Sequence, residues 1–172
     1  MEITTARLKL TPITERHWQL FYDLHTDPEV TSLCFDPPSI EDIQAKFQSR
    51  LTAWSKGANS WLCLVISNND TDTPVGITGF SFDDGIAEVG YLFLPQHYGN
   101  QYATESLDAL LKWAVSEHNI NQFKAVVTEG NIASERVLLK CGFKLINVVP
   151  EAYEIGGKRY SDYLYQYRVN LD

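Results

Sequence analysis

Apolar residues recur along this chain with two periods, and the switches between them mark its elements. Leu8 and Leu10 alternate with Arg7 and Lys9, which predicts an edge strand over Arg7–Thr11 closed by Pro12. Thr14 is placed to cap a short helix carrying Trp18, Phe21 and Tyr22. Pro28 and the pair Pro37-Pro38 bracket an irregular loop. Ile40, Ile43, Phe47, Leu51 and Trp54 recur at helical spacing, so a second helix, capped by Ser39, is predicted to run to Gly57. Trp61–Ile66 is apolar on both faces and reads as a central strand. Pro74–Phe82 and Ile86–Leu94 form a hairpin about Asp83-Asp84-Gly85. A third helix covers Tyr102–His118, with Ala103, Leu107, Leu110, Leu111 and Ala114 as its buried stripe. Phe123–Thr128 is a further strand, and Asn131 caps a fourth helix that ends at Gly142. Phe143–Pro150 and Arg159–Val169 make a last antiparallel pair turned at Gly156-Gly157, with Tyr163, Tyr165, Tyr167 and Val169 on one face.

Strand, helix and strand follow one another in the middle of this order, which predicts a right-handed parallel crossover; hairpins flank it. The sum is an α+β fold: a central mixed, mostly antiparallel sheet of about six to seven strands with helices on both faces. Crossovers are too few for a doubly wound sheet. With no repeat, low-complexity segment or long linker, residues 1–172 read as a single domain.

Charge narrows the partners. A net charge of −8 argues against nucleic acid, whose phosphates attract basic surfaces. It favours approach of a cationic, amine-bearing molecule over an acidic or nucleotide one. Three cysteines, Cys34, Cys63 and Cys141, form an odd set without metal spacing, and Cys63 lies in an apolar run as a core filler. The histidines are scattered, so no metal is predicted. The N-terminal segment has no apolar core of a signal peptide, and no apolar run reaches the ~18 residues of a membrane span. These features predict a reduced, cytoplasmic, metal-free protein.

The chemistry concentrates in two turns. Leu94 to Glu105 is a polar, Gly-containing turn that follows a strand and opens a helix, where unpaired backbone N–H groups and the helix dipole suit a phosphate. Gly99 lets the main chain approach a ligand closely, and the amides from Gly99 to Ala103 are the candidate donors. The same residues also suit an ordinary strand-to-helix loop. Neither the Gly-Lys-Ser/Thr of a P-loop nor the triple-Gly dinucleotide spacing is present. The second turn, Asn131-Ile132-Ala133-Ser134, again follows a strand and opens a helix, and Lys140-Cys141-Gly142-Phe143 closes that helix.

Together these segments resemble the GNAT superfamily of N-acetyltransferases. The first turn is similar to its Gln/Arg-x-x-Gly-x-Gly/Ala loop, and the second to its Asn-x-x-Ser … Lys-x-Gly-Phe segment. The fuller wording Tyr98-Gly99 … Tyr102-Ala103-Thr104-Glu105 resembles the ribosomal-protein N-terminal acetyltransferase (RimJ/RimL-like) branch. The resemblance implies an acetyl-CoA-dependent N-acetyltransferase acting on an amine, possibly a protein N-terminal amine, by direct attack in a ternary complex. Its rival is a non-catalytic acyl-CoA-binding or regulatory module on the same fold. It implies cofactor contacts at Phe93, Leu94, Gln96, Gly99, Asn100, Gln101, Tyr102, Ala103 and Asn131, with the strand Tyr91–Leu94 splayed from Phe123–Thr128. Asn131 also suits a plain helix cap. Gln101 departs from the family, which usually has Gly or Ala there; a Gln takes φ > 0 only at a cost and brings a side chain toward the phosphates, so binding is expected to survive if the local φ is negative. The implied general base is Glu88, a carboxylate in a mostly apolar strand, with Asp162 second; the alternative for Glu88 is an outward charge on an alternating strand. Glu105 is expected at the helix N-terminus. Many relatives carry a Tyr seven residues after the Asn, where this chain has Leu138; in the resembled branch the Ser of Asn-x-x-Ser is the implied donor to the thiolate, here Ser134, which also suits a first-turn helix residue making a local backbone bond. The loop Thr26–Ser39 and the turn Gly156-Gly157 are expected to shape the acceptor pocket of a monomer or homodimer.

Overall fold

The alternating segments pair into one eight-stranded sheet in a computed structural model that describes residues 1–170. The strands are β1 (Ile3–Thr4), β2 (Leu8–Pro12), β3 (Leu62–Asn68), β4 (Pro74–Asp83), β5 (Ile86–Phe93), β6 (Gln122–Thr128), β7 (Lys144–Ile155) and β8 (Lys158–Arg168). They lie in the order β1-β2-β3-β4-β5-β6-β8-β7, and β5–β6 is the parallel pair in an otherwise antiparallel sheet. The helices are α1 (Trp18–Thr26), α2 (Pro28–Thr31), α3 (Ile40–Arg50), α4 (Tyr102–His118) and α5 (Ile132–Lys140). This is the mixed α/β architecture the pattern predicts, with α4 as the crossover between β5 and β6.

Side-chain alternation divides the core. Leu64, Phe80, Val89, Phe93 and Phe123 pack beneath Leu107, Leu110 and Ala114 of α4 and Leu138 of α5. On the opposite face Val65 and Ile77 meet Phe21 and Leu24 of α1 and Ile43 and Phe47 of α3. The tyrosine face of β8 packs on the first of these cores through Tyr163, Tyr165 and Tyr167, while Val169 lies just past the strand. Among the described residues no helix is long and apolar enough to cross a membrane.

Four expectations are corrected. The two-residue strand β1 flanks β2, through Ile3↔Leu10, so the predicted edge strand lies one in from the edge and the sheet gains a member. Within the proline-bracketed loop, Asp27 accepts from Glu29 N (2.9 Å) and caps the single turn of α2. The second long helix stops at Arg50, well before Gly57. Leu51 N turns back to Gln48 O, and Trp54 is drawn out of register into an aromatic cluster with Phe80 and Trp113. Finally, Ile40 starts that helix exposed to solvent, outside its buried stripe.

One irregularity of the sheet positions the site. β5 pairs with β4 along its whole length, from Ile86 to Phe93, but with β6 only at Ala87↔Phe123 and Glu88↔Lys124. Past Glu88 the two parallel strands part, which is the predicted splay, and the β6-facing edge of Gly90–Phe93 is left without a strand partner.

Candidate active site

The open edge of β5 runs directly into the first turn. Pro95–His97 forms a single 3₁₀ turn, Gly99 takes φ +80°, and α4 begins at Tyr102. Among the described residues, none of the backbone amides from Gly99 to Thr104 donates a hydrogen bond within the protein. A side chain added at Gly99 would meet nothing within 4 Å, so the turn faces open space. Gln101 takes φ +64°, ψ 17°, so it is left-handed, the region that is costly for its side chain and not the negative φ on which the expected binding depends. From there the Gln101 carbonyl accepts from Glu105 N (3.1 Å) as the first bond of α4. A left-handed L-residue costs roughly 1–2 kcal/mol. Its carboxamide is also drawn aside, accepting a hydrogen bond from Lys140 Nζ (2.9 Å), which ties the first turn to the end of α5. The backbone therefore follows the path a glycine would give it.

Glu105 does not cap α4. Its carboxylate accepts from Thr5 Oγ1 (2.6 Å), Arg7 N (3.0 Å) and Arg7 Nε (2.8 Å). The same guanidinium reaches the Asn100 carbonyl (2.9 Å) and lies over the Tyr102 ring. The segment between β1 and β2 thus clamps the start of α4. Burial pushes the Glu105 carboxyl up, but the hydrogen bonds from Thr5 and Arg7 together outweigh it and hold the group below its ordinary 4.5. A depressed carboxylate stabilises the fold above the unfolded value, and that contribution fades as pH falls through the folded one. Because Arg7 is half exposed, solvent screening limits the effect. Glu105→Gln is expected to lower the Tm by about 2–4 °C at neutral pH. The difference from wild type should shrink steadily below pH 4.5 in thermal melts.

In the second turn, Asn131 Oδ1 accepts from Ser134 N (3.3 Å), so the cap exists. Among the described residues the side-chain nitrogen Nδ2 of Asn131 donates no hydrogen bond, whereas its backbone N donates to Thr128 O (3.0 Å). Ser134 Oγ lies 2.8 Å from the hydroxyl of Tyr91, a residue of the splayed strand. Burial is the main cause that pushes the Tyr91 phenol well above its usual range, so it keeps its proton. Tyr91 is expected from the sequence only as the first residue of the splayed strand, with no part in the chemistry; its hydroxyl on that strand was the available signal. Gly142 takes φ +90° and ends α5 as expected.

Glu88, Gly90 and Leu92 alternate onto the α1/α3 face of β5. Glu88 lies 3.6 Å from Lys124, its partner in register, and Lys124 also pairs with Asp83. Asp162 stands on β8 opposite Thr128, on the same face across the splay, and burial raises its carboxyl above the ordinary range. Next to Glu88 along this face opens a cavity of about 240 Å³. Its floor is made by Cys63, Gly79 and Gly90, residues in register across three neighbouring strands that leave the sheet bare. The predicted loop contributes Phe35 to its wall, whereas the Gly156-Gly157 turn is not among the lining residues; Gly156 N instead donates to Asp36 Oδ1 (2.7 Å), bracing that loop from outside. Among the described residues no cluster of His, Cys, Asp and Glu could hold a metal.

Residues 7–144 match the family described as Acetyltransferase (GNAT) domain. The chain is 39% identical over 150 residues to the protein YkkB of Bacillus subtilis (strain 168), covering 82% of this chain and 84% of that one. It is 27% identical to the uncharacterized N-acetyltransferase YnaD of the same organism, over 96% of this chain and 95% of the relative. Its fold superposes with a TM-score of 0.85 on a RimL ribosomal-protein alpha-N-acetyltransferase solved in complex with coenzyme A, at 19% identity and full coverage of both chains.

Proposed function

Since this chain belongs to the GNAT acetyltransferase domain family, we propose that it moves an acetyl group from acetyl-CoA to an amine by direct attack in a ternary complex. The observation that carries the reading is the run of unpartnered amides from Gly99 to Thr104, at the N-terminus of α4 and at the end of the open β5 edge. Such amides attract a pyrophosphate through both their N–H groups and the helix dipole. On this reading Gly99, Asn100, Gln101, Tyr102 and Ala103 hold the phosphates, Gln96 borders them, and the backbone of Phe93 and Leu94 pairs with the pantetheine as an added strand would. The amide of Asn131 meets it from the other side. The RimL-type neighbour's coenzyme A supports the choice of nucleotide. Bound acetyl-CoA supplies an activated thioester.

The chain's own residues then handle protons. An amine near pH 7 is mostly protonated, so a base must take its proton as it attacks. Glu88 fills that role beside the cavity. Asp162 is the second reading, favoured by its burial, since a raised carboxyl is a better-matched base. The hydroxyl pair Tyr91–Ser134 is placed to give a hydrogen bond to the departing sulfur. Residues 1–172 act as one domain in this account, and the three free cysteines suit a reducing cytoplasm. A protein N-terminal acceptor is the finer form of the proposal, supported by the wording Tyr98-Gly99 and Tyr102-Ala103-Thr104-Glu105 and by the RimL-type fold.

Calorimetry with coenzyme A tests the cofactor site. Wild type is expected to bind and to melt at higher temperature with ligand. Gly99→Val, which forces a β-branched residue to φ +80°, is expected to weaken binding by about tenfold or more. No heat and no thermal shift at saturating coenzyme A would sink the proposal. Ser134→Ala is expected to slow turnover only several-fold, ~3–10-fold, since the sulfur leaves readily and Tyr91 remains. Release of free thiol on addition of any amine separates the enzyme from a non-catalytic binding module.

A further inference from the structure

The cavity on the α1/α3 face carries charge opposite in sign to the whole protein. Lys46 and Arg50, one helical turn apart on α3, both line it, and no carboxylate does. Among the described residues neither cation has an acidic group within 4.0 Å. The carboxylate acting on Lys46 is Asp42, a further turn back on the same helix and outside the lining. Like charges a turn apart repel, and here both are partly withdrawn from water, which lowers each group's affinity for its proton. Within the fold that cost is offset only in part, by Asp42 outside the lining and by the rings beneath the two cations.

The remaining lining is neutral and aromatic. His25 stacks between Phe21 (4.1 Å) and Phe35 (5.6 Å), its Nδ1 on the Phe21 carbonyl, and burial lowers it to about 4. Burial pushes the Cys63 thiol up to about 12, so it too stays uncharged. Arg50 lies over the Trp61 ring at 5.1 Å and Lys46 over Phe35 at 5.6 Å, which holds both cations at the cavity rather than in solvent. Trp61 also closes over Gly90, where an added Cβ would stand 3.3 Å from the indole. The bare floor at Cys63, Gly79 and Gly90 lies beside the strand edge proposed to receive the thioester.

We propose that this cavity binds the acetyl acceptor, and that the acceptor is a small primary amine carrying an anionic group, a carboxylate or a phosphate, which Lys46 and Arg50 neutralise while its body rests on Trp61 and Phe35. This rests on the acetyl-transfer reading for the word acceptor, but anion recognition is measurable without it. It stands against both the protein N-terminal acceptor that the resemblance suggests and the cationic acceptor suggested by the net charge of −8, because the local field in a cavity outweighs a dispersed surface charge. A guanidinium presents paired donors that match either oxyanion.

The test compares matched ligands that differ only in the anion. A panel of amino acids against their amides, and phosphoethanolamine against ethanolamine, is titrated into the protein by calorimetry without coenzyme, then assayed for thiol release with acetyl-CoA. Spermidine serves as the cationic control. At least one acid, carboxylate or phosphate, should bind about tenfold or more tightly than its neutral partner, and the pair that responds identifies which anion is read. Arg50→Gln and Lys46→Gln should each erode that preference and the double variant abolish it, with coenzyme A affinity unchanged. Equal binding of acids and amides, tighter binding of spermidine, or a preference that survives the double variant would overturn the inference. Anion preference without thiol release to any amine would support this site while counting against acetyl transfer.

Discussion

Glu88→Gln should reduce turnover by ~10²–10⁴-fold while leaving coenzyme A affinity unchanged, the usual worth of a general base. The amide keeps the shape of the side chain and its place on the cavity face of β5, but it cannot take a proton. The proposed cofactor contacts lie further along the strand and in the following turn, so binding and rate should separate. The same substitution removes the partner 3.6 Å from Lys124, whose pairing with Asp83 remains; stability should therefore change little, because this is a part-exposed pair. Asp162→Asn supplies the comparison. If it, and not Glu88→Gln, removes the rate, the base stands on the β8 side of the splay. If the loss in Glu88→Gln is confined to low pH, the group orients the acceptor instead of taking its proton. Steady-state kinetics from pH 6 to 9 with calorimetric coenzyme A titrations resolve these outcomes.

Gly79→Ala should be the most destabilising single-methyl change in the sheet. A Cβ built there would stand 1.7 Å from the carbonyl oxygen of Leu62 and 2.8 Å from its carbon. Those atoms belong to the backbone of the adjoining strand and cannot rotate aside, so β3 and β4 must part. The cost should be at least ~3 kcal/mol, above the usual range of a surface substitution. For a chain of this length that corresponds to a fall in Tm of roughly 6–12 °C. Gly85→Ala is the control: it sits at φ +78° with nothing within 4 Å, so it meets only backbone strain of about 1 kcal/mol. A Gly79→Ala protein that melts with wild type would mean the strands adjust at no cost, and that the cavity floor is softer than its register implies.

These two experiments probe opposite sides of one arrangement. Small residues at 63, 79 and 90 leave the sheet bare at the cavity floor, and Glu88, the proposed base, lies two residues before Gly90 on the same strand. A larger residue on the floor fills the cavity or breaks the sheet.

The periodic segments were legible because local patterning and tertiary burial agree in them. The helix from Tyr102 to His118 has the predicted bounds, and its stripe at Leu107, Leu110, Leu111 and Ala114 is the buried one. Asn131 and Gly142 bound the next helix as a cap and a left-handed stop should. The hairpin at Asp83-Asp84-Gly85 and the turn at Gly156-Gly157 followed from turn chemistry alone. Where packing overrode pattern, the reading failed. Trp54 continues a helical period on paper but leaves the helix for Phe80 and Trp113, since aromatic burial outweighs one more turn of marginal helix.

By itself, then, the sequence determined the order of elements, the mixed sheet, the glycine turn that opens α4 and the family, because each rests on residues close together in the chain. Only the tertiary structure decided the rest. Gln101 is left-handed at the entry to α4, and its carboxamide is held by Lys140, a residue far along the chain. The contact between Tyr91 and Ser134 exists because β5 splays away from β6 toward α5. The cationic cavity needs Lys46 and Arg50 from one helix, Trp61 before one strand and Gly79 and Gly90 from two others. Net charge sums over all residues regardless of place, whereas a ligand meets the field of the few groups that line its pocket, and those are chosen by folding.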